Sequence, residues 1–328
     1  MCANRISTKS ALDKIKAARA SRGFGIFADA FIAKNNRLYA SDGKMAASIP
    51  CEEMAGLSRL IPGDELQNLV SRLDATVTVT SDENTITIRA GKMRGTIQTQ
   101  SPDTVAMMEP ADEWQTPPPT LINAMRTARP FVAEVAAQPY ATCLCFRSEG
   151  IFATTNISLI QVECPGLAPP SDMLVPAWAA GFAIKTDGEL TGIILNQSYI
   201  AFRWADGLWL RAQLIQGAFP AAAGALLGAV APNQPLAITS AWRRAYCAVA
   251  AISEEVVAIE PDRIVGGHGR SQVVYETAAS GLTETLRLDP KYSTPVVECA
   301  TAWDPSAFPK PVPFVGPGIK GLIVGRRA

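Results

Sequence analysis

Residues capable of covalent or metal chemistry are few in this chain, and none is arranged for it. The one histidine, His268, stands in Gly266-Gly-His-Gly-Arg270, a glycine cluster that reads as a loop. A lone histidine without Cys-x-x-Cys partners cannot complete a zinc site. Seven cysteines (Cys2, Cys51, Cys143, Cys145, Cys164, Cys247, Cys299) are scattered along the chain, which argues for reduced thiols rather than a disulfide framework. Cys143 and Cys145 lie in the strand-like run Ala141-Thr-Cys-Leu-Cys-Phe146. At that spacing both face one side of a sheet, where small buried hydrophobes are expected rather than ligands. The acidic neighbours Glu52-Glu53 and Glu254-Glu255 diverge and read as solvated surface. Gly-x-Ser-x-Gly, a phosphate-cradling glycine loop and His-Glu-x-x-His are all absent. The expectation is a non-enzyme with no catalytic residue, no metal and no cofactor.

The remaining chemistry is electrostatic. Residues 7–22 carry Lys9, Lys14, Lys16, Arg19 and Arg22 against Asp13, a net of +4. Residues 119–136 carry Arg126 and Arg129 against Glu134, a net of +1, and residues 238–252 carry Arg243 and Arg244, a net of +2. The formal charge of the chain is zero, so these three stretches leave −7 for everything else. Cations concentrated on helix-like stretches suit sequence-independent contact with phosphates.

Those stretches begin a repeated unit. Leu38-Tyr-Ala-Ser41 is echoed by Ile151-Phe-Ala-Thr154 at an offset of 113 residues, and Leu60-Ile-Pro62 by Leu174-Val-Pro176 at an offset of 114. Leu12-Asp-Lys-Ile is echoed by Leu121-Ile-Asn-Ala at 109. A third stretch starts the same way, with a helix over 238–252, strands at 256–260 and 263–265, Leu286-Arg-Leu-Asp-Pro-Lys-Tyr292 leading into another helix, and Gly321-Leu-Ile-Val-Gly325 as a closing strand. Proline-rich connectors, Gln115-Thr-Pro-Pro-Pro119 and Gly228–Pro235, divide the chain. The reading is three modules, 1–115, 116–231 and 232–328. Inside them, Thr76-Val-Thr-Val-Thr80 and Thr85-Ile-Thr-Ile-Arg89 form a hairpin at period two. Thr191–Leu195, Tyr199–Arg203 and Leu208–Gln213 are the matching strands of module two. Hairpins rather than crossovers predict antiparallel sheet, with helices on one face, an α+β architecture. At 328 residues, with 48% apolar and 18% charged residues, the chain can bury several cores. Its opening Met1-Cys2-Ala3-Asn4-Arg5 has no apolar signal core and no long apolar run follows. That predicts a cytoplasmic protein without membrane contact.

Leu208-Trp-Leu-Arg-Ala-Gln-Leu-Ile-Gln-Gly-Ala-Phe-Pro220 resembles the second-domain closing strand of the bacterial DNA polymerase III beta subunit, the sliding clamp, which runs through Leu-Ile-x-Gly-x-Phe-Pro. Ala153-Thr-Thr-Asn-Ile-Ser-Leu159 sits where that family writes Ala-Thr-Asp-Gly-His-Arg-Leu. Leu174-Val-Pro176 and Leu288-Asp-Pro-Lys-Tyr292 resemble its Val-Pro lead into the second helix and the third-domain counterpart. With the repeat, the resemblance spans the chain and implies the DNA clamp fold. Two chains would join head to tail in a homodimeric ring of six modules, with sheets outside and helices lining the hole. Twelve helices spaced by about 8–10 Å close a circle whose bore, after subtracting helix radii, is roughly 20–28 Å, wide enough for a duplex.

The resemblance implies sequence-independent contact with duplex DNA through the basic helices, joined weakly by Arg72, Lys185 and Lys291 on the second helices. It implies tethering of a DNA polymerase and a clamp loader through short peptide motifs. The matching pocket positions are Thr154, Asn156, Leu159, Pro220, Leu322 and Val324. Ile97 and Ile252 are picked for the subunit interface. The chain departs from the family at Thr155-Asn156-Ile157-Ser158, in place of Asp-Gly-His-Arg, and at Val324-Gly-Arg-Arg-Ala328, in place of Met-Pro-Met-Arg-Leu. These departures fit a divergent, phage- or prophage-type clamp with its own peptide preference. The rival reading is a structural or assembly protein built from the same repeat without DNA, whose basic residues need not converge.

Overall fold

In the computed structural model, residues 7–19, 29–73, 77–103, 107–229, 232–269, 271–276, 282 and 284–326 are described. The chain divides into two compact units, Met1–Pro117 with Lys185–Leu214, and Pro118–Ile184 with Ile215–Ala328. Among the described residues there are seven α-helices: α1 Thr8–Ile15, α2 Gly63–Ser71, α3 Leu121–Ala128, α4 Ala177–Lys185, α5 Ala222–Ala229, α6 Ser240–Ala251 and α7 Pro290–Cys299.

The first unit is built on a seven-stranded antiparallel sheet. Its order is Leu190–Leu195, Tyr199–Trp204, Trp209–Gln213, Met45–Pro50, Arg37–Ser41, Ala30–Lys34, Arg59–Pro62. The three strands from 190 to 213 thus extend a sheet begun more than a hundred residues earlier, with Trp209 opposite Ser48 and Leu210 opposite Ala47. Helix α1 starts where the Ser7 hydroxyl accepts from the Ser10 amide, satisfying an amide the first turn leaves unpaired. Thr8, Ala11, Leu12 and Ile15 are its buried residues, a stripe at i, i+3, i+4 and i+7. Burying Leu12 and Ile15 contributes about 1.5–3 kcal/mol each. The predicted hairpin is present as Thr78–Ser81 and Thr85–Ala90, and Met93–Gln98 adds a third strand at the edge. Thr76 lies outside the described residues.

The second unit holds an eight-stranded antiparallel sheet. Its order is Met173–Pro176, Cys143–Arg147, Gly150–Thr154, Ser158–Val162, Ile319–Ile323, Val312–Gly316, Ala302–Trp303, Leu236–Ala237. Ser158–Val162 pairs along its length with Ile319–Ile323, and Gly321 permits this because a Cβ there would sit 2.6 Å from the Leu159 carbonyl oxygen. A four-stranded sheet follows, Ser271–Glu276, Arg263–His268, Val257–Ile259, Leu286–Leu288, with Ser271–Glu276 at one edge. Helices α6 and α7 pack together, the Tyr246 hydroxyl 2.5 Å from that of Ser293.

The repeated strings fall on like elements. Arg59–Pro62 runs into α2, Met173–Pro176 into α4, and Leu286–Leu288 leads to α7. The α+β, mainly antiparallel architecture is the one expected. Four details differ. The helix read over 119–136 stops at Ala128 and passes into a single 3₁₀ turn, Arg129–Phe131, because Pro130 cannot extend an α-helix. Glu134 therefore lies beyond it. His268 is not in a loop but ends the strand Arg263–His268, its Nδ1 2.7 Å from Glu254 Oε2. An unforeseen helix, α5, stands before the connector that leads to the third stretch and overlaps it only at Gly228 and Ala229. The closing strand is Ile319–Ile323 rather than 321–325.

Candidate functional site

The turn between Gly150–Thr154 and Ser158–Val162 builds one wall of a pocket. Asn156 takes a left-handed conformation at φ 69°, which asparagine tolerates better than most residues. The Thr154 hydroxyl donates to the Ser158 carbonyl at 2.8 Å and accepts from the Asn156 amide at 2.9 Å. Tyr140 donates to Asn156 Oδ1 at 3.1 Å, and the Asn156 side-chain amide reaches Gln138 at 3.4 Å. The turn's polar groups are thus spent on holding its shape. Leu159 faces Leu322 across the strand pair, and the Val324 amide donates to the Ile157 carbonyl at 2.9 Å. The other wall is α5, which contributes Ala223 and Leu226, with Phe219 and Pro220 below it.

These walls enclose about 220 Å³, and Thr154, Asn156, Leu159, Pro220, Leu322 and Val324 all line it. Among the described residues none of its lining side chains is charged. Its mouth is apolar as well, with Ile157 at 37%, Val324 at 44% and Leu226 at 50% exposure. The nearest tail cation is drawn away, Arg326 Nη2 lying 2.6 Å from Asp289 and its amide bonding to the Arg287 carbonyl. Phe219 is fixed by Tyr140 and Phe152, at centroid distances of 5.8 and 6.1 Å, and by the Arg147 guanidinium 5.3 Å from its ring. Cys143 and Cys145 are fully buried beneath the pocket. Burial pushes the Cys145 thiol up to about 12, so it stays neutral and acts as a small hydrophobe. Apart from Thr154, Asn156 and Ser158, the described residues that line the pocket are apolar.

The cations are placed less uniformly. Lys16 pairs with Asp13 at 2.8 Å, Lys14 with Asp206, and Lys9 donates to the Leu73 carbonyl at 3.2 Å. Arg19 is tied to Asp29 and Asp64 at 2.8 and 2.7 Å, its side chain only 13% exposed. Arg22 lies outside the described residues. Arg72, Arg126, Lys185 and Arg244 are exposed, with Arg126 bonded to Asn123 at 2.6 Å. Arg129 is exposed and reaches the Ala177 carbonyl at 3.5 Å; Lys291 lies 3.7 Å from Glu134. Arg243 is different in kind. Its Nε and Nη2 donate to the Val297 and Ala300 carbonyls, both at 2.8 Å, so it caps the end of α7 as a cation at a helix C-terminus does.

Of the two interface candidates, Ile97 is 3% exposed and packs inside its own sheet, whereas Met93 on the same edge strand is 43% exposed. Ile252 is 47% exposed and borders a groove of about 380 Å³ beside the edge strand Ser271–Glu276. Val273, Val274 and Tyr275 on that edge are 36%, 46% and 40% exposed. Val273-Val-Tyr275 carries strand propensity, but the place of this strand at a sheet edge comes from the fold.

Antiparallel sheets continued across the repeats and helices paired beside them make this chain an example of the DNA clamp fold. The solved structures it resembles include the DNA polymerase sliding clamp of Bacillus subtilis, at 15% identity and TM-score 0.78 over 98% of this chain and 97% of that one. Caulobacter crescentus polymerase III beta matches at 20% identity and TM-score 0.75, over 98% and 97%. The Helicobacter pylori beta clamp, determined with a DNA ligase peptide, matches at 13% and 0.75, again over 98% and 97%. No protein-family model and no curated protein sequence matches the chain.

Proposed function

We propose that the chain is a DNA sliding clamp, a non-enzymatic processivity factor that encircles duplex DNA as a head-to-tail homodimer and tethers a DNA polymerase. The observation that carries this reading is the uncharged pocket, assembled from three distant segments of a chain that matches clamps end to end. An apolar groove with a few polar groups suits capture of a short extended peptide, and one of the similar clamps was determined bound to a DNA ligase peptide. The clamp loader would use the same site.

The division into modules 1–115, 116–231 and 232–328 belongs to this proposal. Two antiparallel seams support it, Trp209–Gln213 against Met45–Pro50 and Ser158–Val162 against Ile319–Ile323. A third seam of the same kind, Met93–Gln98 of one copy against Ser271–Glu276 of another, would close the ring and cover two exposed edges. Arg72, Arg126, Lys185 and Arg244 would meet phosphates without reading bases, while Lys9 and Lys16 would first have to leave the Leu73 carbonyl and Asp13. Lys14, Arg19 and Arg243 hold internal partners and would contribute field more than contact.

Dissociation from such a ring requires opening it or reaching a DNA end. The test is retention on nicked circular DNA by gel filtration, with mass measured in solution. A dimer that stays on circles and is lost after linearisation is the expected result. Equal behaviour on both forms would overturn the reading and favour an assembly protein without DNA.

A further inference from the structure

A second groove lies between the end of α3, the start of α4 and the start of α7, away from the peptide pocket. It encloses about 600 Å³, and three features mark it as built. Trp178 lines it and is 41% exposed, an arrangement that forgoes much of what indole burial contributes to folding. Arg129 lies flat against α4: a Cβ at Gly181 would meet its Nε at 3.0 Å and its Nη2 at 3.3 Å. Glycine is unfavourable inside a helix, and here it leaves the guanidinium its place. Residues 178 and 181 are three apart on the helix, and Trp178 and Arg129 line the same groove. Lys291 enters from α7 on the far side, its Nζ 3.7 Å from Glu134.

We propose that this groove binds an unpaired nucleotide of single-stranded DNA, the base stacked on Trp178 and the phosphate held by Arg129 and Lys291. Aromatic faces flanked by cations are the chemistry of single-strand recognition. A duplex hides its base faces inside the stack, whereas one splayed nucleotide fits a groove of small-ligand size. Glu134 is the acid in the way. Its pairing with Lys291 joins side chains 87% and 63% exposed, a weak contact that a phosphate can replace. The site goes beyond the proposed clamp function, which concerns duplex alone.

The test is fluorescence anisotropy of a labelled oligothymidylate and a blunt duplex, each of roughly 20 residues per strand, so that several site lengths are offered. Removing one stacking platform in Trp178→Ala should weaken oligothymidylate binding about tenfold and leave duplex affinity within about twofold. Trp178→Phe should retain most of the affinity, and Glu134→Gln should raise it. Unchanged oligothymidylate binding in Trp178→Ala, or an equal weakening on both DNAs, overturns the proposal; matched thermal melts exclude misfolding. Retention on nicked circles without any Trp178 effect would sink this site alone. A Trp178-dependent single-strand affinity without retention would sink the clamp reading alone.

Discussion

Arg243 separates two meanings of a basic residue on a candidate DNA-facing helix. Replacing it by alanine removes two charge-assisted hydrogen bonds of 2.8 Å, to the carbonyls of Val297 and Ala300. Both of those residues are 0% exposed, so water cannot readily replace the missing donors. Hydrogen bonds to charged groups contribute about 1.5–3 kcal/mol, and an orphaned buried carbonyl costs about 1–3 kcal/mol. Because the guanidinium is only half-buried, we expect the pair together to be worth about 2–4 kcal/mol. For a unit of this size that lowers the melting temperature by roughly 5–15 °C. Differential scanning calorimetry of the whole chain, following the transition of the second unit, measures it. Arg244→Ala, one residue along and exposed, should melt within about 0.5 kcal/mol of the parent. It should nevertheless flatten the slope of log duplex affinity against log salt by about 0.9 for each phosphate that Arg244 neutralises. If Arg243→Ala melts like the parent and instead weakens DNA binding as Arg244→Ala does, the capping argument is wrong.

Leu226→Asp places a charge at the mouth of an otherwise uncharged pocket, and should abolish tethering of the partner polymerase in a primer-extension assay while leaving retention on circles intact. Val274→Lys puts a cation on the exposed edge strand Ser271–Glu276 and should convert the proposed dimer to monomer by light scattering; an unchanged mass would remove that strand from the proposed interface. Burial pushes the thiols of Cys145 and Cys299 up to about 12. The unfolded chain ionises them above about pH 8.5 while the folded chain keeps them neutral. Their contribution is therefore complete below that pH and is lost as pH rises towards about 12. Melting temperature against pH should show this decline, and native-state alkylation read by mass spectrometry should leave both residues unmodified.

Much of the fold could be read because its local signals agree with its global pattern. Thr85-Ile-Thr-Ile alternates, and its Ile86 and Ile88 are indeed buried. The strand, proline, helix sequence recurs at Pro62 and Pro176. Helix α5 escaped for a physical reason. Its sequence, Ala-Ala-Gly-Ala-Leu-Leu-Gly-Ala, has no polar face, so it shows no helical period, and its Gly228 reads as the start of the connector. Yet α5 supplies the pocket wall at Ala223 and Leu226. The pocket positions in the turn and tail were legible only through resemblance to clamps, since Leu159 and Leu322 look like any strand core.

Charge was the hardest property to read. Counting cations on helices located the basic stretches but could not say which of them face outward. Lys14 and Arg19 find acids 192 and 45 positions away, and Arg243 finds carbonyls 54 and 57 positions away. No local pattern encodes such partners. The same limit hid the groove at Trp178, because its parts come from residues 129, 178, 181 and 291 and each alone reads as ordinary surface or core. A glycine inside a helix is the one local oddity among them. Gly181 gives no clue to its purpose until Arg129 is seen lying across it, with the exposed Trp178 lining the same groove.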